Sequence, residues 1–236
     1  MEPTRAVISL SGGLDSAVLL TRMLREPNME IYPITFEYAS KHNRWEGKAV
    51  KEIMDHFHDK KQLHPVKFVR LDFFGQLFKS DLLVTGGPIP QGHYEAESMK
   101  QTVVPGRNTI FLAILMGYAE SINGHMVAIG AHAGDHHIYP DCRPGFVHAM
   151  DCTMQEATEG KVHIYAPFLH IDKVNIVAIG NTIQTPFGIT RTCYADQPTA
   201  CGKCGSCQER LTAFHANGLV DPLVYESRAI LPKEKR

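Results

Sequence analysis

Ala6-Val7-Ile8-Ser9-Leu10-Ser11-Gly12-Gly13-Leu14-Asp15-Ser16 is the stretch that decides the fold of this chain. Its first five residues read as a buried strand, and Ser11 to Ser16 is a turn leading straight into an apolar helix. The two glycines let the backbone turn tightly and approach an anion, and the free N–H groups of the helix start point at it. Ser11 and Ser16 add hydroxyl donors. Asp15 is the odd member, because a carboxylate repels phosphate oxygens unless a divalent cation lies between them. The turn therefore reads as a phosphate cradle that works with Mg2+; the plainer alternative is a glycine-rich helix cap. No Walker-type G-x-x-x-x-G-K-S/T run occurs, so a γ-phosphate transferase of that kind is not supported.

Beyond the turn, Val18, Leu19, Leu20, Met23 and Leu24 recur at helical spacing, predicting a helix over 15–25 that Pro27-Asn28 ends. Strands are expected over 31–36, 66–71 and 126–129, with an extended piece at 163–165. Helices are expected over 45–57, 109–121, 144–157 and 173–184, the second of them N-capped by Asn108. Such alternation predicts a parallel sheet with helices on both faces and a ligand at the strands' C-terminal ends, where the Ser11–Ser16 turn lies. Residues 84–101 lack periodicity and are rich in Gly, Pro and polar side chains, which suggests a long loop or lid.

A length of 236 residues fits one large α/β unit, nucleotide-binding and catalytic over 1–185, with a metal-binding portion over 186–236 packed on it. Net charge is −1 and the basic tract is confined to residues 233–236, which argues against a surface that grips nucleic acid. The first apolar run is strand-length and is followed by glycines, and no stretch approaches a membrane span, so a cytoplasmic protein is expected. In that compartment the six cysteines suit metal binding or catalysis better than disulfides.

Cys193, Cys201, Cys204 and Cys207 have the spacing C-x7-C-x2-C-x2-C. Four thiolates so close suit one tetrahedral Zn2+ with no vacancy for substrate, hence a structural metal; an iron–sulfur cluster is the rival, although its common runs are spaced differently. Cys152 is expected in the core. Cys142, beside Asp141 and Arg143, is either a reactive thiol of lowered pKa or a small residue lining a pocket. Arg107, in Val104-Pro105-Gly106-Arg107-Asn108, is a fork-shaped donor suited to phosphate or carboxylate. Asp135, Tyr139, Asp141 and Arg143 share one non-helical stretch after the fourth strand. Asp172-Lys173 opens a helix and either caps it or contacts pyrophosphate. His132, His136 and His137 either form a second metal site or are ordinary loop residues. Tyr38, Lys41 and His42 either line an adenine pocket or sit on a surface loop.

SGGLDS, VPGRN, the run from Gly130 through Asp135 to YPDCR, Asp172-Lys173, and TCY followed by CGKCGSC occur in order over residues 11–207. Together they resemble the 7-cyano-7-deazaguanine synthases, a family of PP-loop ATP pyrophosphatases, which split ATP between the α and β phosphates. The resemblance implies an adenine-nucleotide alpha-hydrolase-like sheet of five parallel strands with a small zinc-held, helical C-terminal portion. It implies ATP binding by Leu10, Ser11, Gly12, Gly13, Leu14, Asp15, Ser16, Ala17, Val18, Leu19 and Leu20, with Asp15, Arg107 and Lys173 as catalytic residues. Asp135, Tyr139, Asp141 and Arg143 would contact the substrate. The implied reaction joins 7-carboxy-7-deazaguanine and ammonia to give the nitrile at the expense of Mg-ATP, in queuosine or related deazaguanine biosynthesis. A homodimer that binds no nucleic acid stably is also implied. No separate glutaminase domain fits the remaining length, so ammonia is expected free or from a partner. Residues 38–46, YASKHNRWE, resemble the family's tyrosine–basic–histidine–glutamate motif, with Glu46 one place late and Trp45 inserted. The rival readings are a relative that stops at the amide, a tRNA-thiolating PP-loop enzyme with Cys142 as sulfur carrier, an amidotransferase for another small carboxylate, and a zinc-knuckle nucleic-acid binder without catalysis.

Overall fold

Strands β1 (Thr4–Ser9), β2 (Met29–Glu37), β3 (Lys67–Arg70), β4 (Met126–Ala128) and β5 (His163–Tyr165) form one parallel sheet in the order β3-β2-β1-β4-β5. It was obtained as a computed structural model that describes residues 2–230, so the basic tract at 233–236 lies outside the described residues. β1 is central because Ala6, Val7 and Ile8 are apolar in succession and fully buried, as a parallel strand covered on both faces requires. Ala6 and Ile8 face a core shared with α1 (Leu14–Met23), α2 (Asn43–His56), α6 (Lys173–Thr182) and α7 (Gly205–Ala216). Val7 faces the other core, under α4 (Arg107–Ser121) and α5 (Pro144–Ala157). Each Leu or Ile buried this way contributes about 1.5–3 kcal/mol relative to leaving it in water.

β2 lies on one side of β1 and β4 on the other, so the loops after β1 and β4 diverge from a topological switch point. The register pairs Ala6 with Met126 and Ile8 with Ala128, and the two loops therefore leave the sheet side by side. β2 begins earlier than its apolar run suggested and tolerates Pro33 because it is an edge strand there. Its pairing with β3 starts only at Ile34–Lys67.

Three expectations are corrected. α4 begins at Arg107, and its N-cap is Gly106, at φ +65°, not Asn108. Glycine enters the left-handed region without strain, and the capping carboxylate arrives from outside the helix, where Asp141 Oδ2 accepts the Asn108 N–H at 3.0 Å. Cys152 is exposed because α5 turns Val147 and Met154 inward. The 84–101 stretch is less open than a structureless loop. It leads into a 3-10 helix over Glu97–Thr102 and buries Tyr94 and Met99. Lys41 Nζ ties its start by donating to the carbonyls of Asp81 at 2.8 Å and Gly86 at 3.3 Å. No helix among the described residues is long and apolar enough to cross a membrane.

Candidate active site

The turn after β1 needs glycine where it was expected. Gly12 sits at φ +78°, and a Cβ there would lie 2.8 Å from the Glu46 carbonyl oxygen. Gly13 is the N-cap of α1. Ser11 Oγ lies 3.2 Å from Ser16 Oγ and accepts the Gly13 N–H at 3.2 Å, so the hydroxyls brace the turn from inside. Leu10, Ser11, Gly13, Leu14, Asp15 and Ser16 line a cavity of about 230 Å³ at the C-terminal ends of the strands. Ala17, Val18, Leu19 and Leu20 do not line it; they are fully buried beneath and anchor the helix.

Lys173, at the start of α6, lines the same cavity. Its Nζ lies 2.5 Å from Asp15 Oδ2 and 3.5 Å from Glu209 Oε2. Burial works against the ammonium, but Asp15 and Glu209 outweigh it and raise its pKa. Burial raises the Asp15 carboxyl, yet the Lys173 charge and His132 hold it below the usual carboxylate range. Asp15 Oδ1 is buried with no partner, as an oxygen reserved for a cation would be. Glu209 goes the other way: burial pushes its carboxyl up despite Lys173. His132 Nε2 lies 3.4 Å from Asp135 Oδ1 and 3.9 Å from Glu209 Oε1, closing a ring of ionisable side chains against the turn.

The cavity also has an aromatic lining. Arg107 lies 6.0 Å from the Tyr38 ring centre and 5.6 Å from that of Tyr139, and it forms no ion pair among the described residues. The Tyr139 hydroxyl is 2.8 Å from Thr102 Oγ1 and 3.3 Å from the Tyr194 hydroxyl. Tyr94 donates its hydroxyl to Asp135 Oδ1 at 2.8 Å. Burial pushes the Tyr38 phenol up to about 12. A guanidinium among neutral phenols is a receptor for a planar anion.

Of the residues expected to touch substrate, Asp135 and Tyr139 line the cavity, while Asp141 and Arg143 do not. Asp141 caps α4, and Arg143 is exposed with its Nε donating to the His136 carbonyl at 2.8 Å. Cys142 does line the cavity, but burial pushes its thiol well up and Asn108 Nδ2 contacts its Sγ at 3.2 Å. It stays protonated, which removes the lowered-pKa reading. Asp172 is a helix cap, accepting the Asn175 N–H at 2.9 Å. Tyr38 and His42 line the cavity, and Lys41 turns away from it. His132, His136 and His137 do not converge on a metal position: His132 N-caps its own turn and His137 is exposed. The group among the described residues that could hold a metal is Cys193, Cys201, Cys204 and Cys207.

The four Sγ atoms lie within 4.8 Å of one another. Cys193 Sγ accepts the N–H of Cys201 at 3.3 Å, and Cys201 Sγ accepts that of Cys204 at 3.3 Å. Hydrogen bonding from the Cys193 thiol, with Cys204 and Cys207, lowers the pKa of Cys201. A compact, all-sulfur set with amide donors to its thiolates fits a closed tetrahedral metal site. The knuckle also anchors the long loop, since Gln91 bridges to Cys204 and the Gly92 N–H reaches the Lys203 carbonyl at 2.9 Å. Glu209, like Tyr94 and Arg191 a cavity residue missed in the sequence, follows Cys207 by two positions on α7. A carboxylate on an otherwise buried helix face was its one local signal.

A glycine turn at the switch point of a parallel sheet, with a lysine and a carboxylate converging on it, defines an α/β protein whose ligand site lies at the C-terminal ends of the strands. The family model described as "QueC: Queuosine biosynthesis protein QueC" matches residues 5–218. A 7-cyano-7-deazaguanine synthase of Pseudoalteromonas translucida (strain TAC 125) is 41% identical over 223 residues, covering 94% of this chain and 99% of its own. One of Desulfotalea psychrophila (strain LSv54 / DSM 12343) is 45% identical over 215 residues, covering 91% and 95%. This chain belongs to the QueC family of queuosine-biosynthesis proteins, whose curated relatives are ligase-type 7-cyano-7-deazaguanine synthases. Among solved structures, the U34-tRNA thiolase NcsA from Methanococcus maripaludis is 14% identical with a TM-score of 0.46, covering 92% of this chain and 66% of that one. A likeness that distant carries no argument here.

Proposed function

We propose that this protein converts 7-carboxy-7-deazaguanine and ammonia to 7-cyano-7-deazaguanine, adenylating first the carboxylate and then the amide. The observation that carries the reading is one cavity lined both by the glycine turn and by an arginine that lies among tyrosines and is free of ion pairs among the described residues. A carboxylate is a poor electrophile, and attack on the α-phosphate of ATP turns it into an acyl-adenylate with pyrophosphate leaving. Ammonia displaces AMP to give the amide. A second adenylation on the amide oxygen lets AMP depart with that oxygen and leaves the nitrile.

The protein's part is positioning and charge neutralisation. Ser11, Gly13, Ser16 and the first-turn amides of α1 would cradle the leaving pyrophosphate, with Lys173 against it. Arg107 and Tyr139 would orient the planar substrate, with Asp135 at its edge. Asp15 Oδ1 would hold Mg2+, which when bound neutralises phosphate oxygens. The cysteine knuckle would hold Zn2+ as scaffold. Residues 186–236 would then act as one unit with 1–185, a reading supported by Ala213 and Phe214 of α7 lying in the core of α1 and α6.

Mass spectrometry of the protein supplied with 7-carboxy-7-deazaguanine, ammonium and Mg-ATP should find the nitrile with two AMP formed per product. Intact substrate beside a folded enzyme would sink the proposal, and amide alone would point to the relative that stops one step earlier. Cys204→Ser should lower bound zinc and soluble yield together, because it opens the site that orders the start of α7. A zinc-free variant with full activity and unchanged melting would remove the scaffold role.

A further inference from the structure

The motif at residues 38–46 leaves a buried imidazole with no task in this scheme. His42 precedes α2 as its N-cap residue, is 3% exposed and lines the cavity. Its Nε2 lies 3.3 Å from Glu46 Oε1, one helical turn on. Glu46 therefore reaches the ring because of the extra residue Trp45, which sets the spacing at four. Because a carboxylate only accepts, in the neutral ring Nε2 carries the hydrogen and Nδ1 presents a lone pair. That Nδ1 is buried and has no partner. Among the described residues, the buried unpartnered polar atoms that belong to residues lining the cavity are Asp15 Oδ1 and His42 Nδ1.

The proposed chemistry needs a proton acceptor, and the other candidates are occupied. Asp15 and Glu209 are held by Lys173. Asp135 accepts from Tyr94 and lies against His132. Burial keeps the Cys142 thiol and the Tyr94 and Tyr194 phenols protonated. Glu46 on its own helix faces the His42 ring, as does Tyr194, whose ring centre is 5.5 Å away, from the segment between Cys193 and Cys201.

We propose that His42, oriented by Glu46, is the base that takes the protons nitrogen loses during amide and nitrile formation, an inference that rests on the activity proposed above. In the first step the ammonia lone pair forms the C–N bond and the C–O bond to the adenylate breaks. The electron pair leaves with AMP, and one N–H proton passes to Nδ1. In the second, the adenylated amide gives up one N–H proton, and then another as the C–O bond breaks and the C≡N bond completes. Each proton leaves the ring for solvent before the next arrives. Glu46 is a positioning residue that fixes the tautomer and stabilises the imidazolium.

His42→Asn tests the assignment with three readouts. Substrate-dependent ATP–pyrophosphate exchange should stay within a few-fold of the wild type, because adenylation needs no base. Amide and nitrile formation should fall by about 100-fold or more, the usual contribution of a general base. Hydroxylamine, which attacks as the neutral amine at neutral pH, should still trap the acyl-adenylate as hydroxamate. Product formation within a few-fold of the wild type overturns the proposal, and so does a parallel loss of exchange, hydroxamate and product. If His42→Asn fails to fold, Glu46→Gln keeps the ring and should lower kcat for product by about 10-fold with KM for ATP unchanged, a part of the general-base effect; an unchanged kcat there overturns it. A wild type that makes neither amide nor nitrile is a failure of the activity itself, and is told apart because all variants are read beside it.

Discussion

Lys173→Met is expected to lower the rate of pyrophosphate release by about 10³- to 10⁵-fold, the range a single cation supplies against departing phosphates. That corresponds to about 4–7 kcal/mol of transition-state stabilisation. The size of the effect follows from what surrounds the ammonium. Asp15 Oδ2 at 2.5 Å and Glu209 Oε2 at 3.5 Å would be left facing each other and the phosphates without the ammonium between them. Methionine keeps the length of the stem and removes only the charge, so packing in the Ile176–Val177 core below is preserved. Exchange of labelled pyrophosphate into ATP should disappear along with product, unlike the split expected for His42→Asn. The urea midpoint has to be read alongside, since breaking a buried ion pair also costs about 3–5 kcal/mol of stability. Exchange within 10-fold of the wild type would remove Lys173 from the phosphate site.

The inner strands β1, β2 and β4 were legible because they are largely buried and therefore show as apolar runs, down to β4, three residues long, whereas the edge strands β3 and β5 stay partly exposed. The cradle was legible for a related reason: a turn that brings backbone to an anion can be built from very few residues, and Gly12 is one position where a side chain would collide. What stayed hidden was direction. YPDCR reads as one cluster, but the chain folds into a tight 3-10 turn over Pro140–Cys142. Successive side chains on such a turn point about 120° apart. Tyr139 and Cys142 thus face the cavity, while Asp141 reaches back to α4 and Arg143 reaches solvent. Glu209 was hidden because its partners, Lys173 and His132, are remote in sequence and meet it only when α7 docks. The Cys152 expectation failed on the same ground, since a helix of mixed character does not announce which face its neighbours cover.

Asp221→Ala should be the most destabilising single change in the C-terminal portion, at about 3–5 kcal/mol. Arg210 of α7 is fully buried, and its guanidinium uses every N–H it has. Nε and one Nη donate to the two Asp221 oxygens at 2.7 and 2.9 Å, and the remaining bonds go to the Phe187 carbonyl, Thr190 Oγ1 and Thr192 Oγ1. Asp221 in turn accepts from the Tyr225 hydroxyl at 2.7 Å and the Leu223 N–H at 3.1 Å. Removing the carboxylate strands a cation in the interior and cuts the link between α7 and the segment that follows it, where Leu223 and Tyr225 donate to Asp221. For a chain of this size the loss should lower Tm by roughly 6–20 °C, at about 2–4 °C per kcal/mol. The urea midpoint should fall with an unchanged m value. Burial raises the Asp221 carboxyl, but hydrogen bonds and charge from Arg210, with Tyr225 and Leu223, bring it below its ordinary value of 3.8. Its contribution is therefore present above that value and lost as pH falls through the lower, folded-state one. The wild type should lose stability relative to Asp221→Ala at strongly acid pH, so the gap between them narrows there. A gap that is constant down to acid unfolding, or a Tm within about 2 °C of the wild type at neutral pH, would mean that Arg210 is held by its carbonyl and hydroxyl acceptors alone.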